Sequence, residues 1–286
     1  MGVIIIQIRR PLLIILMFVV AISFIITNNT KNDEELNDKI ITIQGVVKGK
    51  IEKKRYNQYK VGVFLINDYT KNKNLKIGQK VNITGKFKSL DKMKYDDFDY
   101  GRYIKSTGYK GIVYINNYKI IDKNKLYSLI GEIKFYISKT YRYLYKKNSD
   151  FINSILLAEV ENLTEEQKEI FTRTGTSHVI SISGLHTGIL CVIISFLLRG
   201  INKLYKLLIL SIFITLYCIM VGASPSIIRS IAFVMIFYLS IFIDRKKDGI
   251  SALSLIGIIL IMNNPYVIYN VSFQLSFLAT LSILIF

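Results

Sequence analysis

Residues 177–190 read SHVISISGLHTGIL, placing two histidines, three serines and a threonine at the entry of an apolar run. Three chemistries use such residues. A metal ion needs clustered ligands, but His178 and His186 are eight residues apart. That is about 12 Å along a continuous helix, and no carboxylate accompanies them. A nucleophile–base pair would join Ser181 or Ser183 to His186, yet the span has no Asp or Glu to orient the imidazole. Close helix packing through Ser, Gly and Thr explains some of these side chains. It leaves unexplained why they gather in one half of one span. Polar groups in hydrocarbon are tolerated where they line water, and Gly184 permits a break in the helix there. The favoured expectation is a water-filled path.

Two later segments extend the pattern. VGASPSIIRS offers Ser224 as a helix cap, Pro225 at the first helical position and Arg229 about one turn further in. A helix amino terminus beside an arginine attracts phosphate, although such an arginine also snorkels to the surface. NNPYVIYNVSFQLSF carries Gln274 and several hydroxyls into the last apolar run.

The elements that must hold these residues are membrane helices. Of 286 residues, 51% are hydrophobic, and the mean hydropathy of +0.36 is too apolar for an ordinary soluble domain. Runs suited to about 30 Å of hydrocarbon lie at 11–27, 179–198, 204–221, 226–243, 250–262 and 267–286. Arg9 and Arg10 precede the first run, Arg199, Lys203 and Lys206 follow the second, and Arg245, Lys246 and Lys247 follow the fourth. The opposite loops are uncharged. By the positive-inside rule the amino terminus is cytoplasmic and the polar insert is extracellular. The first run lacks a small-x-small cleavage site and reads as a retained anchor. Cys191 and Cys218 sit in apolar runs and read as core residues.

The insert is basic, with 27 Lys/Arg against 13 Asp/Glu over residues 28–150. That suits an anionic partner, nucleic acid or lipid headgroups. The joint richness in Lys, Asn, Ile and Tyr is equally what A+T-rich coding produces. KIITIQGVVKGKI, QYKVGVFLI, KVNITGKF and KGIVYIN read as strands, bent at glycines, of a five-stranded OB-like barrel. DDFDYGRYIKSTG reads as a short helix capped by Asp97 and ended by Gly108. Lys53, Lys54, Arg55, Tyr56, Tyr59 and Lys60 are the candidate strand-binding residues, with Phe64 and Tyr69 as further aromatics. Over 126–147, Leu126, Ile130, Ile133, Ile137, Tyr141 and Leu144 form one stripe. It suits a helix in the membrane interface or one packed on the barrel. Thr164 and Gln167 form a capping box for the helix that Gly175 ends. The expected organisation is an anchor at 1–27, the OB-like domain at 28–125, amphipathic helices at 126–178 and a membrane domain at 179–286. The fold class is thus a polytopic α-helical membrane protein with an inserted extracellular small β-barrel.

TGTSHVISISGLHTGIL, GASPSIIRS and NNPYVIYNVSFQLSF, in that order, closely resemble the competence domain of the ComEC family of DNA-uptake channels. The RRPLL start, DDFDYGRYIKSTG and SILLAEVENLTEEQKEIFTRTG fit the same family, so the resemblance covers essentially the whole chain. It matches His178, Ser183, Gly184, Leu185 and His186, then Ser224, Pro225, Ser226 and Arg229, then Asn264, Pro265, Phe273, Gln274, Ser276 and Phe277. It implies passage of single-stranded DNA across the cytoplasmic membrane in natural transformation. A competence DNA receptor and a cytoplasmic helicase-type ATPase are the implied partners, beside the bilayer and a second copy or a complementing carboxy-terminal part. Family members usually carry a metallo-β-lactamase-like nuclease domain. Two histidines cannot supply its metal cluster, so no catalysis, metal or cofactor is expected, and the apolar end at Phe286 reads as a fragment or split product. The alternatives are an intramembrane hydrolase using His186 and a nearby serine, and a small-solute transporter.

Overall fold

The computed structural model describes residues 10–30, 33–53, 55–71, 74–91, 93–95, 98–176, 184–222, 227–228, 231–232, 235–236 and 248–285. Helix α1 (Pro11–Asn29) starts on a proline, which has no amide to leave unpaired at that position. Its side chains are mostly exposed apolar groups, Met17 and Phe18 among them, while Ser23 and Thr27 are buried.

The chain then forms a closed five-stranded barrel. β1 (Ile40–Glu52), β2 (Asn57–Val61) and β3 (Phe64–Asp68) pair antiparallel in sequence. β4 (Gln79–Lys88) closes onto β1, and β7 (Gly111–Lys123) fills the gap, parallel to β3 and antiparallel to β4. Two short strands, β5 (Lys94–Tyr95) and β6 (Phe98–Asp99), pair beside it. Alternate residues of β4, Val81, Ile83 and Phe87, turn into a core with Val47, Tyr59, Ile66, Leu75 and Val113. Gly85 sits where the β4–β7 register shifts, and a Cβ there would lie 2.3 Å from the Tyr114 carbonyl oxygen. The strand bends at that point because only glycine lets the two backbones approach so closely. QYKVGVFLI reads from sequence as one strand; it is a hairpin, turning at Gly62 (φ +58) and supplying two of the five.

α2 (Tyr100–Ser106) lies between β6 and β7. Its cap is Asp99, whose carboxylate accepts from the Arg102 amide at 2.8 Å, and not the expected Asp97, which falls outside the described residues. Gly108 (φ +91) follows its end. α3 (Lys125–Tyr145) splits the expected stripe. Ile130 is buried and Ile137 and Tyr141 are half-buried, whereas Leu126, Ile133 and Leu144 are exposed together with Leu129, Tyr136 and Tyr143. One arc therefore packs on protein and the neighbouring apolar arc is free of it. α4 (Ser149–Leu157) and α5 (Glu165–Arg173) follow, the latter opened by the capping box: Thr164 Oγ1 accepts from the Gln167 amide at 3.2 Å, and Gln167 Oε1 from the Thr164 amide at 3.0 Å.

The helical part comprises α6 (Gly184–Leu197), α7 (Lys203–Val221), α8 (Gly249–Asn263) and α9 (Val271–Ile285), the last two joined by a 3₁₀ turn at Pro265–Tyr269. The run at 267–286 is thus not one helix: Asn264 and Asn270 hold the turn apart from α9 by accepting the Tyr266 and Phe273 amides, each at 3.1 Å. Among the described helices, α1 and α7 are long and apolar enough to cross a membrane; α8, α9 and His186–Leu197 are shorter apolar helices. Most of 226–243 falls outside the described residues. α1 and α8 lie side by side, with Arg10 and Asp248 3.7 Å apart at one end. At the other end Ser23 Oγ donates to the Pro265 carbonyl at 2.7 Å. The barrel stands at that second end.

Candidate functional site

His178, Ser181 and Ser183 of the first motif, and Ser224, Pro225 and Arg229 of the second, lie outside the described residues, as does Lys54. What is described is the framework around them. α6 runs from Gly184, with His186 half-buried and Thr187 buried one residue later. Leu190 on this helix packs against Tyr217 and Ile227, in a cluster with Cys218 and Val221 of α7 and Ala158 after α4. The Tyr217 hydroxyl donates to the Leu156 carbonyl at 3.1 Å, which ties the end of α7 to α4. Ile227 belongs to the GASPSIIRS motif. Its neighbour Ile228 turns the other way and packs in the cluster of Ile261, Val267, Phe273 and Phe277, which holds the third motif. Two consecutive isoleucines of the second motif therefore bridge the first and the third. Segments some forty residues apart in sequence meet at one end of the helical part.

Gln274 lies one turn into α9 and is exposed, with its Nε2 donating to the Ile268 carbonyl at 2.7 Å. Its amide is thereby held toward the 3₁₀ turn. Gly257 allows α8 to approach its neighbours: a Cβ there would lie 2.9 Å from Leu16 Cδ1 and 3.0 Å from the Phe277 ring.

The barrel carries a second constellation. Lys53 closes the β1–β2 hairpin, its amide donating to the Tyr56 carbonyl at 3.0 Å, and its Nζ lies 5.2 Å from the Tyr56 ring centroid and 3.1 Å from the Tyr56 hydroxyl. Burial lowers the lysine pKa, but the contact with Tyr56 together with Tyr100 and Glu161 leaves it above its ordinary value, so the group is cationic at neutral pH. The rings of Tyr56 and Tyr69 are 4.8 Å apart and those of Tyr69 and Tyr114 5.8 Å apart, a row of three from just before β2, through the residue after β3, to β7. Arg55 is exposed beside them. Tyr59 does not belong to this face. It is wholly buried in the barrel core, because β2 is covered on both sides and Gln58 on its other face bonds Asn67 at 2.9 Å. Lys60 is half-buried across β1, with its Cδ 3.2 Å from where a Gly49 Cβ would stand, and desolvation lowers its pKa. Neither residue is presented as an open contact. Tyr114 was missed from sequence because only the parallel β3–β7 pairing brings it beside Tyr69. No group of three or more His, Cys, Asp or Glu placed to hold a metal ion occurs among the described residues, and both cysteines are free.

Residues 155–286, which hold all three motifs, match the family model described as "Competence protein". The carboxy-terminal part of the chain is thus similar to competence proteins. It is 26% identical to ComE operon protein 3 of Bacillus subtilis (strain 168) over 165 residues, covering 57% of this chain and 21% of that protein. It is 30% identical over 125 residues to an uncharacterized protein of Aquifex aeolicus (strain VF5), covering 43% of this chain and 30% of the other. The chain thus spans a third or less of the length of these relatives. Among solved structures, the aspartyl tRNA synthetase from Entamoeba histolytica aligns at 11% identity over 58% of this chain and 36% of that one, with a TM-score of 0.21, too low to bear on the fold.

Proposed function

We propose that this chain forms part of the path by which single-stranded DNA crosses the cytoplasmic membrane during natural transformation. The observation that carries the reading is the meeting of the three motifs at one end of the helical part, inside the competence-family match. In this reading the chain is polytopic, with its amino terminus cytoplasmic and the barrel outside. His178, Ser183, Gly184 and His186 line the path, together with the Ser224–Pro225 helix start, Arg229 and Gln274. Helix-start dipoles and one fixed positive charge offset the cost of bringing phosphates to the edge of the hydrocarbon. The Tyr56–Tyr69–Tyr114 row, flanked by Lys53 and Arg55, offers stacking faces and backbone neutralisation to a strand before it enters. The exposed arc of α3, with Tyr136 and Tyr143 and the basic Lys139 and Arg142 nearby, lies along the outer leaflet. A second copy or a complementing carboxy-terminal part completes the channel.

The test is binding of a labelled single-stranded oligonucleotide to the full chain, with log K falling as log salt rises. A transformation assay on a homologue carrying Gly184→Leu accompanies it, and uptake is expected to be lost. Normal transformation with Gly184→Leu, or no strand binding at low salt, would remove the corresponding half of the reading.

A further inference from the structure

The seam between barrel and helical part is made by asparagines whose side chains are used twice. Asn264 caps the 3₁₀ turn through Oδ1, while its Nδ2 donates across the seam to the carbonyls of Lys105 at 2.9 Å and Ser106 at 3.2 Å. Those are carbonyls at the last turn of α2, where that of Lys105 also accepts from the Gly108 amide at 3.0 Å. Asn270 repeats the device. Its Oδ1 caps α9, and its Nδ2 donates to the Ser106 hydroxyl at 3.1 Å, with both residues buried, 4% and 1% exposed. Cations of α2 lie on tyrosines of the same turn, Arg102 4.9 Å from the Tyr269 centroid and Lys105 5.2 Å from that of Tyr266. Those tyrosines reach back to α1: the Tyr269 hydroxyl lies 2.9 Å from Thr27 Oγ1, and that of Tyr266 2.6 Å from Thr30 Oγ1.

Capping alone needs only an acceptor, which Asp or Ser supplies as well as Asn. The second contact needs a donor on the same side chain, and of the common caps only the amide presents both ends in one plane. We infer that Asn264 and Asn270 are positioning residues that lock the barrel to the helical part as one body. They thereby fix where a strand held on the barrel is presented to the starts of α6 and α9. The lock stands on the seam geometry; its use in strand delivery rests on the DNA-uptake reading.

Asn264→Asp separates the two roles, because it keeps the acceptor that caps the turn and sets a carboxylate against two carbonyl oxygens. Spin labels at Lys119→Cys on the barrel and Met262→Cys on α8 are introduced in a Cys191→Ala, Cys218→Ala background of the full chain in lipid nanodiscs. A narrow distance distribution is expected in the parent, and a broadened one in both Asn264→Asp and Asn264→Ala. A distribution as narrow as the parent's in Asn264→Asp would overturn the lock, since a cap-only role predicts that result. Oligonucleotide binding by Asn264→Asp is expected to equal the parent's while transformation falls. Parental transformation despite a broadened distribution would overturn the positioning role. Absence of strand binding in the parent as well would instead count against the uptake reading and leave the lock standing.

Discussion

Two tyrosines three residues apart in sequence are assigned opposite tasks by the barrel. Tyr56 stands in the aromatic row, so Tyr56→Ala is expected to weaken single-strand binding by about 1–3 kcal/mol while leaving the fold intact. Tyr59→Ala is expected to cost about 3–5 kcal/mol of stability, because it empties a fully buried site. Thermal melts and anisotropy titrations on the two variants check the division. Lys134 on α3 is a separate case. Burial pushes its pKa down; Glu159 and Glu161 oppose that shift and Lys60 adds to it. A folded pKa below the unfolded value means the unfolded chain binds the proton more readily. The penalty is therefore present at neutral pH and relieved as pH rises through the folded pKa toward 10.5. Lys134→Met is expected to stabilise by about 1 kcal/mol at pH 7, with the gain shrinking at alkaline pH in chemical denaturation. Residue types at 53–60 pointed to a basic, aromatic face. Which ring faces outward did not show, because burial of both faces of β2 is a tertiary property that alternation within one strand does not carry.

Elements declared themselves wherever their signals are local. The Thr164 capping box, the helix stops at Gly108 and Gly175 and the bend near Gly85 each depend on a few neighbouring side chains, and each stands where those residues placed it. The misreadings share a different cause. QYKVGVFLI lacks an Asn-Gly or Asp-Gly turn, so its hairpin depends on pairing with β1 and β7 instead. The cap of α2 is Asp99 because Gly101 must press against the Leu90 carbonyl, where a Cβ would come within 1.9 Å of the oxygen. Gly101→Ala is accordingly expected to cost about 1–3 kcal/mol and to disturb the seam, whereas Thr164→Ala, on an exposed helix, should cost about 1 kcal/mol and leave the seam alone. Melting curves together with the spin-label distances across the seam distinguish the two. The stripe on α3 reads as one face because periodicity counts apolar residues without saying what covers them; here protein covers one arc only.

At the scale of the whole molecule, the described residues fix which groups share an end. Arg10 meets Asp248 at one end, and Arg199 between α6 and α7, with Lys203 and Lys206 in the first turn of α7, makes a short basic stretch. The barrel, the 3₁₀ turn and the outer contacts of α1 with Pro265 and Tyr269 occupy the other end. Apolar helices connect the two, with exposed Met17, Phe18, Ile212 and Leu275 along their flanks. In the proposed reading a bilayer between the ends covers those flanks and leaves the charged groups in water, with the short basic stretch on the cytoplasmic side. Lys119→Cys on the barrel and Lys203→Cys at the start of α7 therefore report opposite compartments. In intact cells, with Cys191 and Cys218 replaced by alanine, an impermeant thiol reagent is expected to label position 119 and to spare position 203 until the membrane is opened. On the proposed reading, that labelling puts the aromatic row on the side from which DNA arrives. Labelling at 203 but not at 119 would invert that arrangement, and the barrel would receive a strand only after it had crossed.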